Sequence, residues 1–249
     1  MTHEPDLVET AAALLIGAEL LSGKVRDANL HGLAATLREL GIDLRRVVMI
    51  TDDEETIALE IGSLRRHHDV VFTSGGVGPT HDDVTVCAAA RAFGVPIVHN
   101  DEVDALMRRV YGDALTAEHL RMARIPEGAK LVYSQTSPWP AVTLGNVWLL
   151  PGVPEVFRSK LEIMRDHLRG PGRFFSRSVY CRSDEAALCR ALETVVAEFP
   201  SVAVGSYPKW GTSSYRTRVT FDGRAGEPVN QCRDRFVSLI GADEVVREE

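Results

Sequence analysis

The feature that most constrains the fold of this chain is a glycine-rich segment at residues 73–83, which reads Thr-Ser-Gly-Gly-Val-Gly-Pro-Thr-His-Asp-Asp. An apolar run at residues 70–72 precedes it and predicts a buried strand, and the apolar spacing of Thr85–Phe93 predicts a helix directly after it. A glycine-rich turn from strand to helix is typical of open parallel sheets, which bind ligands at the carboxyl ends of their strands. The sequence therefore predicts an α/β fold with a ligand site on this loop.

The residues around this loop extend the same pattern of alternating strands and helices. Before it, apolar runs predict strands at residues 8–16 and 47–50, and helical spacing predicts helices at residues 29–40 and Glu54–His67. After it, we predict helices at residues 103–109, 117–122 and 155–168 and strands at residues 130–133 and 147–150. This order predicts an open, mostly parallel sheet flanked by helices, in a first domain that covers residues 1–169.

The pattern changes after Gly170-Pro171-Gly172, which we interpret as a linker. Beyond it we predict strands at Phe175–Cys181, 202–205, 215–221 and 244–246, and helices at Glu185–Glu198 and 229–240. The order β-α-β-β-α-β is typical of a ferredoxin-like unit, with two helices on one face of a four-stranded sheet. The sequence thus predicts a second, smaller α+β domain at residues 173–249.

Composition limits the classes of partner. The formal net charge is -7 and no long basic run occurs, so we expect no nucleic-acid partner, because such proteins usually carry a basic face. No apolar segment approaches the roughly 18 residues of a membrane span, and the N-terminus has no signal-peptide pattern. The four cysteines show no metal-binding spacing. We therefore expect a cytoplasmic protein with a small-molecule partner.

The glycine-rich loop is suited to bind a phosphorylated ligand. Gly75, Gly76 and Gly78 lack a Cβ, so phosphate oxygens can approach the backbone N–H groups. Hydroxyl side chains on both sides of these glycines add donors. The alternative is a tight strand-to-helix turn that binds nothing. The candidate ligand-binding residues of this segment are Thr73, Ser74, Gly75, Gly76, Gly78, Thr80 and Thr85.

Two carboxylates, Asp82 and Asp83, stand at the end of the loop, where they would repel a phosphate unless they have another role. One role is to cap the following helix, and we expect at least one of them to do so. The other is to hold a divalent cation such as Mg²⁺, Mn²⁺ or Co²⁺, which bridges carboxylate and phosphate oxygens and polarises phosphorus for attack by water. Asp83 and Asp82 are therefore candidate catalytic residues, and Asp83 is a candidate metal ligand.

Other strand ends bring polar residues to the same edge of the predicted sheet. Glu19 follows the first strand and Asp52 follows the strand at residues 47–50, so both are candidate metal ligands. Each has a plainer alternative, since Glu19 can be a loop acid and Asp52 can begin a helix. Asp27 and Asn29 stand at a helix start, where we expect at least one of them to cap. Asn29 is also a candidate ligand contact, as are Gly152 and Pro154 of the rigid turn at residues 151–155.

These motifs resemble a known family. Residues 73–85 resemble the T-G-G-x-G-P-T-x-D-D-x-T motif of the competence/damage-inducible protein A family, whose domain is related to molybdopterin-binding proteins. Other segments match that family in the same order, so the resemblance covers essentially the whole chain: residues 16–23, Asn29, Asp52-Asp53, residues 150–155 and residues 205–208. Residues 134–147 resemble instead the molybdopterin-binding-like domain of eukaryotic FAD synthases.

The resemblance implies a function and two alternatives. It implies a molybdopterin-binding-like fold and metal-dependent hydrolysis of a dinucleotide phosphoanhydride such as ADP-ribose or FAD, in a homo-oligomer. No part of the chain resembles the nicotinamide-nucleotide deamidase or FMN adenylyltransferase modules of longer relatives. Ala18 stands where the family usually has Asp, which implies weaker or absent catalysis if that Asp helps to bind metal. The alternatives are a molybdopterin-binding protein of molybdenum cofactor biosynthesis and a nucleotide-binding protein without catalysis.

Overall fold

The computed structural model describes residues 5–135, 139–211 and 214–249. The chain divides into two compact units, Met1–Pro171 and Gly172–Glu249. Within the described residues, no helix has both the length and the apolar content that a membrane span needs.

The first unit is built on a six-stranded sheet. The strands of the whole unit are β1 (Asp6–Leu7), β2 (Thr10–Ile16), β3 (Asp43–Ile50), β4 (Val70–Ser74), β5 (Ile97–His99), β6 (Arg124–Pro126), β7 (Lys130–Val132), β8 (Ala141–Leu144), β9 (Val147–Leu149) and β10 (Leu168–Arg169). The sheet has the order β3-β2-β4-β9-β8-β7, in which β3, β2, β4 and β9 are parallel and β8 and β7 are antiparallel to their neighbours. Two small pairs, β1 with β10 and β5 with β6, lie outside it.

Seven α-helices lie in the described part of this unit. They are α1 (Ala18–Leu21), α2 (Leu30–Glu39), α3 (Glu54–His67), α4 (Thr85–Phe93), α5 (Asp101–Tyr111), α6 (Ala117–Leu120) and α7 (Pro154–His167). Local side-chain chemistry explains several of their ends. Asp53 caps α3 by accepting from Thr56 N, Asn100 caps α5 by accepting from Val103 N, and α4 ends at Gly94 in the left-handed conformation.

Both faces of the sheet are covered, as parallel sheets require. Ala11 and Ala13 of β2 pack with α2 and α7, through residues such as Leu37 and Phe157. Ala12 and Leu14, which point to the other face, pack with α3 and α4. The predicted open, mostly parallel sheet flanked by helices is confirmed.

The second unit is an antiparallel sheet with two helices. Its elements are β11 (Phe175–Cys181), α8 (Glu185–Glu198), β12 (Ala203–Pro208), β13 (Thr217–Gly223), α9 (Gly226–Ile240) and β14 (Val245–Glu248). The strand order is β12-β13-β11-β14, with every neighbouring pair antiparallel. Both helices pack on one face, where Val195 of α8 and Phe236 of α9 share a cluster with Phe221 of β13. The predicted β-α-β-β-α-β order is observed.

Several predicted boundaries are wrong for identifiable reasons. The strand predicted at residues 47–50 begins at Asp43, because the polar residues at its start lie on an edge strand that is partly exposed. The first strand begins at Thr10 rather than at residue 8. Strands β5, β6 and β8 were not predicted, since three or four residues are too few to show an alternating pattern. The strand predicted at residues 202–205 continues to Pro208 as β12.

Candidate functional site

A cleft with a volume of about 1070 Å³ lies in the first unit. The loops that follow β2, β3, β4 and β9 contribute Glu19, Asp52, residues 75–80 with Asp82 and Asp83, and residues 151–153 to its lining. The carboxyl ends of these parallel strands meet at one edge of the sheet, which explains why distant residues share the cleft. Much of the remaining lining is apolar and consists of Ile97, Val103, Leu106, Met107, Val110, Tyr111, Met122, Ile125, Trp139, Val142 and Val156.

The glycine loop, residues 75–83, has a backbone conformation that favours glycine at two positions. Gly75 and Gly76 have φ angles of 113° and 68°, in the region that favours glycine. A Cβ on Gly75 would overlap the carbonyl oxygen of Ile16, and one on Gly76 would overlap Oγ1 of Thr85. The absence of these side chains brings the loop against β2 and α4 and leaves its backbone open to the cleft.

Buried hydrogen bonds hold the glycine loop from behind. Nδ2 of Asn29, which is 5% exposed, donates to Ser74 Oγ at 3.0 Å and to Gly152 O at 2.8 Å. Thr85 Oγ1 donates to Gly75 O at 2.9 Å, and Thr73 Oγ1 accepts from Leu150 N at 3.2 Å. These residues join the loop to α2, α4 and the turn after β9.

Asn29, Thr73, Ser74, Thr85 and Pro154 therefore lie around the site without lining the cleft. Pro154 is the first residue of α7, where its missing N–H costs nothing. The role of all five residues as ligand contacts stays a prediction, whereas the hydrogen bonds of Asn29, Thr73, Ser74 and Thr85 support the glycine loop. Gly75, Gly76, Gly78, Thr80 and Gly152 line the cleft directly.

Asp82 and Asp83 are bound within the loop and do not cap α4, so that expectation is wrong. Thr80 Oγ1 lies 2.6 Å from Asp82 Oδ1 and 2.5 Å from Asp83 Oδ2, and Thr80 N donates to Asp83 Oδ2 at 2.7 Å. The N-cap position of α4 is Val84, and Thr85 N donates to the carbonyl of Gly76 instead. The turn at Thr80 thus competes successfully with the helix end for these carboxylates. The hydrogen bond from the Thr80 hydroxyl lowers the pKa of Asp82 below its ordinary value.

Two further acids, Asp52 and Glu19, follow the neighbouring strands β3 and β2. Asp52 Oδ2 accepts from the N–H of Ala18 at 2.8 Å, which joins the loops after β2 and β3. Asp53, not Asp52, caps α3. Glu19 lies in the four-residue helix α1. At the start of α2, Asn29 holds the N-cap position without a side-chain cap, and Asp27 instead accepts from Leu30 N at 2.9 Å.

The cleft supplies the oxygen ligands that hard divalent cations prefer, from the carboxylates of Glu19, Asp52, Asp82 and Asp83. Among the described residues, no three Asp, Glu, His or Cys side chains group closely enough to hold a metal ion alone. The arrangement fits a cation bound by one or two carboxylates, with phosphate oxygens and water as the other ligands, which is the usual mode for Mg²⁺.

Lys160 was missed by the sequence analysis. It lies on α7, lines the cleft and is 4% exposed. Its Nζ donates to the carbonyls of Trp139 at 2.8 Å and Pro140 at 3.0 Å, and burial lowers its pKa to about 8. A signal was present, because Lys160 shares a helix face with the apolar residues Phe157 and Met164.

The two units of this chain match two described families. Residues 12–169 match the family "Probable molybdopterin binding domain", and residues 173–249 match the family "FAD synthase, middle domain". A "Probable FAD synthase" of Caenorhabditis briggsae is 30% identical over 95% of this chain and 50% of that protein. The counterpart of Caenorhabditis elegans is 31% identical over 88% of this chain and 47% of that protein, so the chain spans about half the length of these relatives.

A solved structure supports the resemblance to competence/damage-inducible protein A. The crystal structure of "the protein CinA with unknown function from Thermoplasma acidophilum" matches with a TM-score of 0.58 and 29% identity, over 64% of this chain and 96% of that one. The family predicted from the motifs is thus confirmed. The chain belongs to the "Probable molybdopterin binding domain" family and carries, at residues 173–249, a second unit similar to the middle domain of FAD synthases.

Proposed function

We propose that the first unit binds a small phosphorylated nucleotide and, with Mg²⁺, Mn²⁺ or Co²⁺, hydrolyses its phosphoanhydride. The substrate class is a dinucleotide pyrophosphate such as ADP-ribose or FAD. The observation that carries this proposal is the single cleft in which the open backbone of Gly75, Gly76 and Gly78 lies beside the carboxylates of Asp82 and Asp83. A volume of about 1070 Å³ leaves room for both halves of a dinucleotide.

In this proposal the residues of the chain have separate tasks. The glycine loop donates backbone N–H groups to phosphate oxygens, and the buried bonds from Asn29 and Thr85 keep those donors in place. A bound cation would neutralise phosphate charge and polarise phosphorus. Asp83 would hold it, with Glu19 or Asp52, and Asp82 would accept a hydrogen bond from the attacking water. Hydrolysis breaks one P–O bond of the anhydride, adds water across it and yields AMP as one product.

The test is AMP release from ADP-ribose and from FAD in Mg²⁺, Mn²⁺ and Co²⁺. Wild type is compared with Asp83→Asn, which keeps an oxygen to accept from Thr80 N while losing the charge. We expect turnover to fall by roughly 100-fold or more, as when an acid–base or metal-binding group is lost. Asp166→Asn, on an exposed part of α7 outside the cleft, is the matched control and should keep wild-type turnover. No turnover by wild type with any of the three metals refutes the hydrolase proposal.

A second candidate is a molybdopterin-binding protein of molybdenum cofactor biosynthesis, which the family match at residues 12–169 favours. A pterin would lie in the same cleft, where Tyr111, His119 and Trp139 offer aromatic rings. This candidate is removed if the protein has no affinity for molybdopterin and a deletion strain has normal molybdoenzyme activity. Tight nucleotide binding without turnover would instead support the non-catalytic alternative, which Ala18 favours.

We also propose a cytoplasmic homo-oligomer that binds neither nucleic acid nor membrane. All four cysteines are free thiols, which is typical of proteins in a reducing compartment. Light scattering of the purified full chain would determine its mass in solution, and a mass of about one chain would refute the oligomer.

A further inference from the structure

Lys160 is a buried ammonium group whose charge is not balanced by an acid. Its side chain is 4% exposed, and no carboxylate forms an ion pair with it among the residues that the structure describes. Two of its three N–H donors go to the carbonyls of Trp139 and Pro140, and the third has no partner in the same described set. Burying a charge in this way is costly, and burial accordingly lowers its pKa to about 8. The group is still mostly protonated at pH 7.

Lys160 lies on the face of α7 that borders the ligand cleft. Val153, Val156 and Lys160 all line the cleft and are spaced by three and four residues, so one face of α7 borders it. The turn before α7 is packed against the glycine loop, because a Cβ on Gly152 would lie 3.3 Å from the Cα of Gly75. Lys160 stands six residues after Pro154, which is about 9 Å further along the helix axis. It therefore offers positive charge to a part of the cleft beyond the glycine loop.

A purely structural role accounts for only part of this arrangement. A neutral group with two N–H donors would satisfy the carbonyls of Trp139 and Pro140 equally well and would avoid the cost of burying a charge. The side chain of glutamine is such a group. A positive charge becomes useful when an anion occupies the cleft, whose lining also carries Arg121, Arg124 and the four carboxylates of Glu19, Asp52, Asp82 and Asp83.

We propose that Lys160 is a ligand-binding residue and that its third N–H donates to an anionic phosphate oxygen of the ligand, at a subsite separate from the glycine loop. This inference rests on the proposed phosphate-bearing ligand but not on its hydrolysis. Lys160 would then select ligands with a second phosphate, such as a dinucleotide pyrophosphate, over nucleosides and monophosphates.

The experiment measures binding of ADP-ribose, AMP and adenosine by calorimetry in EDTA, where no metal-dependent hydrolysis occurs. We expect Lys160→Met to weaken ADP-ribose binding by roughly 10- to 100-fold, as the loss of a hydrogen bond between charged groups does. Its affinities for AMP and adenosine should stay within about twofold of wild type. Lys130→Met, at an exposed lysine outside the cleft, is the matched control and should bind all three like wild type.

Lys160→Gln keeps N–H donors for the carbonyls of Trp139 and Pro140. It therefore replaces Lys160→Met in the same binding experiment if Lys160→Met does not fold. The inference is overturned if either folded variant binds ADP-ribose like wild type, if adenosine affinity falls equally, or if wild type does not bind ADP-ribose. Its failure is distinct from that of the hydrolase proposal. Binding that depends on Lys160 without AMP release leaves Lys160 standing and refutes hydrolysis. AMP release with an unchanged KM in Lys160→Met refutes the role of Lys160 and leaves the hydrolase proposal standing.

Discussion

Gly76→Ala should damage the glycine loop more than its backbone conformation alone requires. Gly76 has a φ of 68°, and a Cβ there would overlap Oγ1 of Thr85 and lie 3.2 Å from Cβ of Thr85. Thr85 is fully buried, and its Oγ1 donates to the carbonyl of Gly75, so it has little freedom to move aside. The substitution therefore combines an unfavourable backbone conformation with a steric overlap in a packed region.

The chain provides a matched control for the first of these two costs. Gly94, at the end of α4, has the same φ of 68°, and a Cβ there meets nothing within 4 Å. Gly94→Ala should therefore cost only the left-handed conformation of a non-glycine residue, about 1–2 kcal/mol. Gly76→Ala should cost a further amount of roughly 1–3 kcal/mol, which is typical of overpacking.

Thermal unfolding of the full chain by calorimetry would measure the difference. For a chain of this size, an added 1–3 kcal/mol corresponds to a further fall in Tm of roughly 2–12 °C for Gly76→Ala below Gly94→Ala. Adding Thr85→Ala to Gly76→Ala removes the overlapping oxygen, so the two substitutions together should cost less than the sum of their separate effects. Equal Tm values for Gly76→Ala and Gly94→Ala would refute the steric overlap between a Cβ at residue 76 and Thr85.

Two further predictions concern thiols and acid stability. Cys87 and Cys189 are exposed, so a thiol reagent should modify both in the folded chain. Cys181 and Cys232 are buried, and burial raises the pKa of each thiol to about 11, so these two should react only after unfolding. If all four thiols reacted equally fast, the burial of Cys181 and Cys232 in the core of the second unit would be wrong. Asp69 accepts from Thr10 N, Thr10 Oγ1 and Glu9 N, and these bonds, led by the one from Thr10 N, lower its pKa. The stability that Asp69 adds over Asp69→Asn should be complete above its ordinary pKa of 3.8 and be lost as the pH falls through the lowered value. A difference in unfolding midpoint that persists in strong acid would show that the charge is not its source.

Much of the fold could be predicted because local signals agreed with tertiary packing. The predicted bounds of α3, α4 and α8 are those observed, and each has a clear terminal signal: Asp53 and Asp184 cap two of them, and Gly94 ends the third. Strand β2 was found because it is buried on both faces and therefore continuously apolar. By contrast, strand β5 has only three residues and pairs with β6, a contact between residues 97–99 and 124–126 that no local pattern contains.

At the candidate site, the residue types predicted which residues lie at the cleft better than they predicted the hydrogen bonds that those residues form. The glycine and aspartate residues lie at the cleft, but sequence could not show that Thr80 would engage both Asp82 and Asp83, because a helix cap uses the same residue types at the same spacing. Nor could it show that Asn29 would reach Ser74 and Gly152, which are 45 and 123 residues away. Such bonds depend on how separate strand ends meet.

The glycine loop and the two carboxylates beside it differ in the burial of the hydrogen bonds that hold them. The glycine loop is held by buried bonds from Asn29 and Thr85, whereas the carboxylates of Asp82 and Asp83 are bonded to Thr80 in exposed positions. The backbone N–H of Ala18 still donates to Asp52, so an alanine at this position leaves the connection between the two loops intact. What alanine removes, relative to the aspartate usual in the resembling family, is a carboxylate beside the cleft. In the proposed function, a change at position 18 would act on cation binding and not on the backbone of the glycine loop, so ligand binding and turnover need separate measurements.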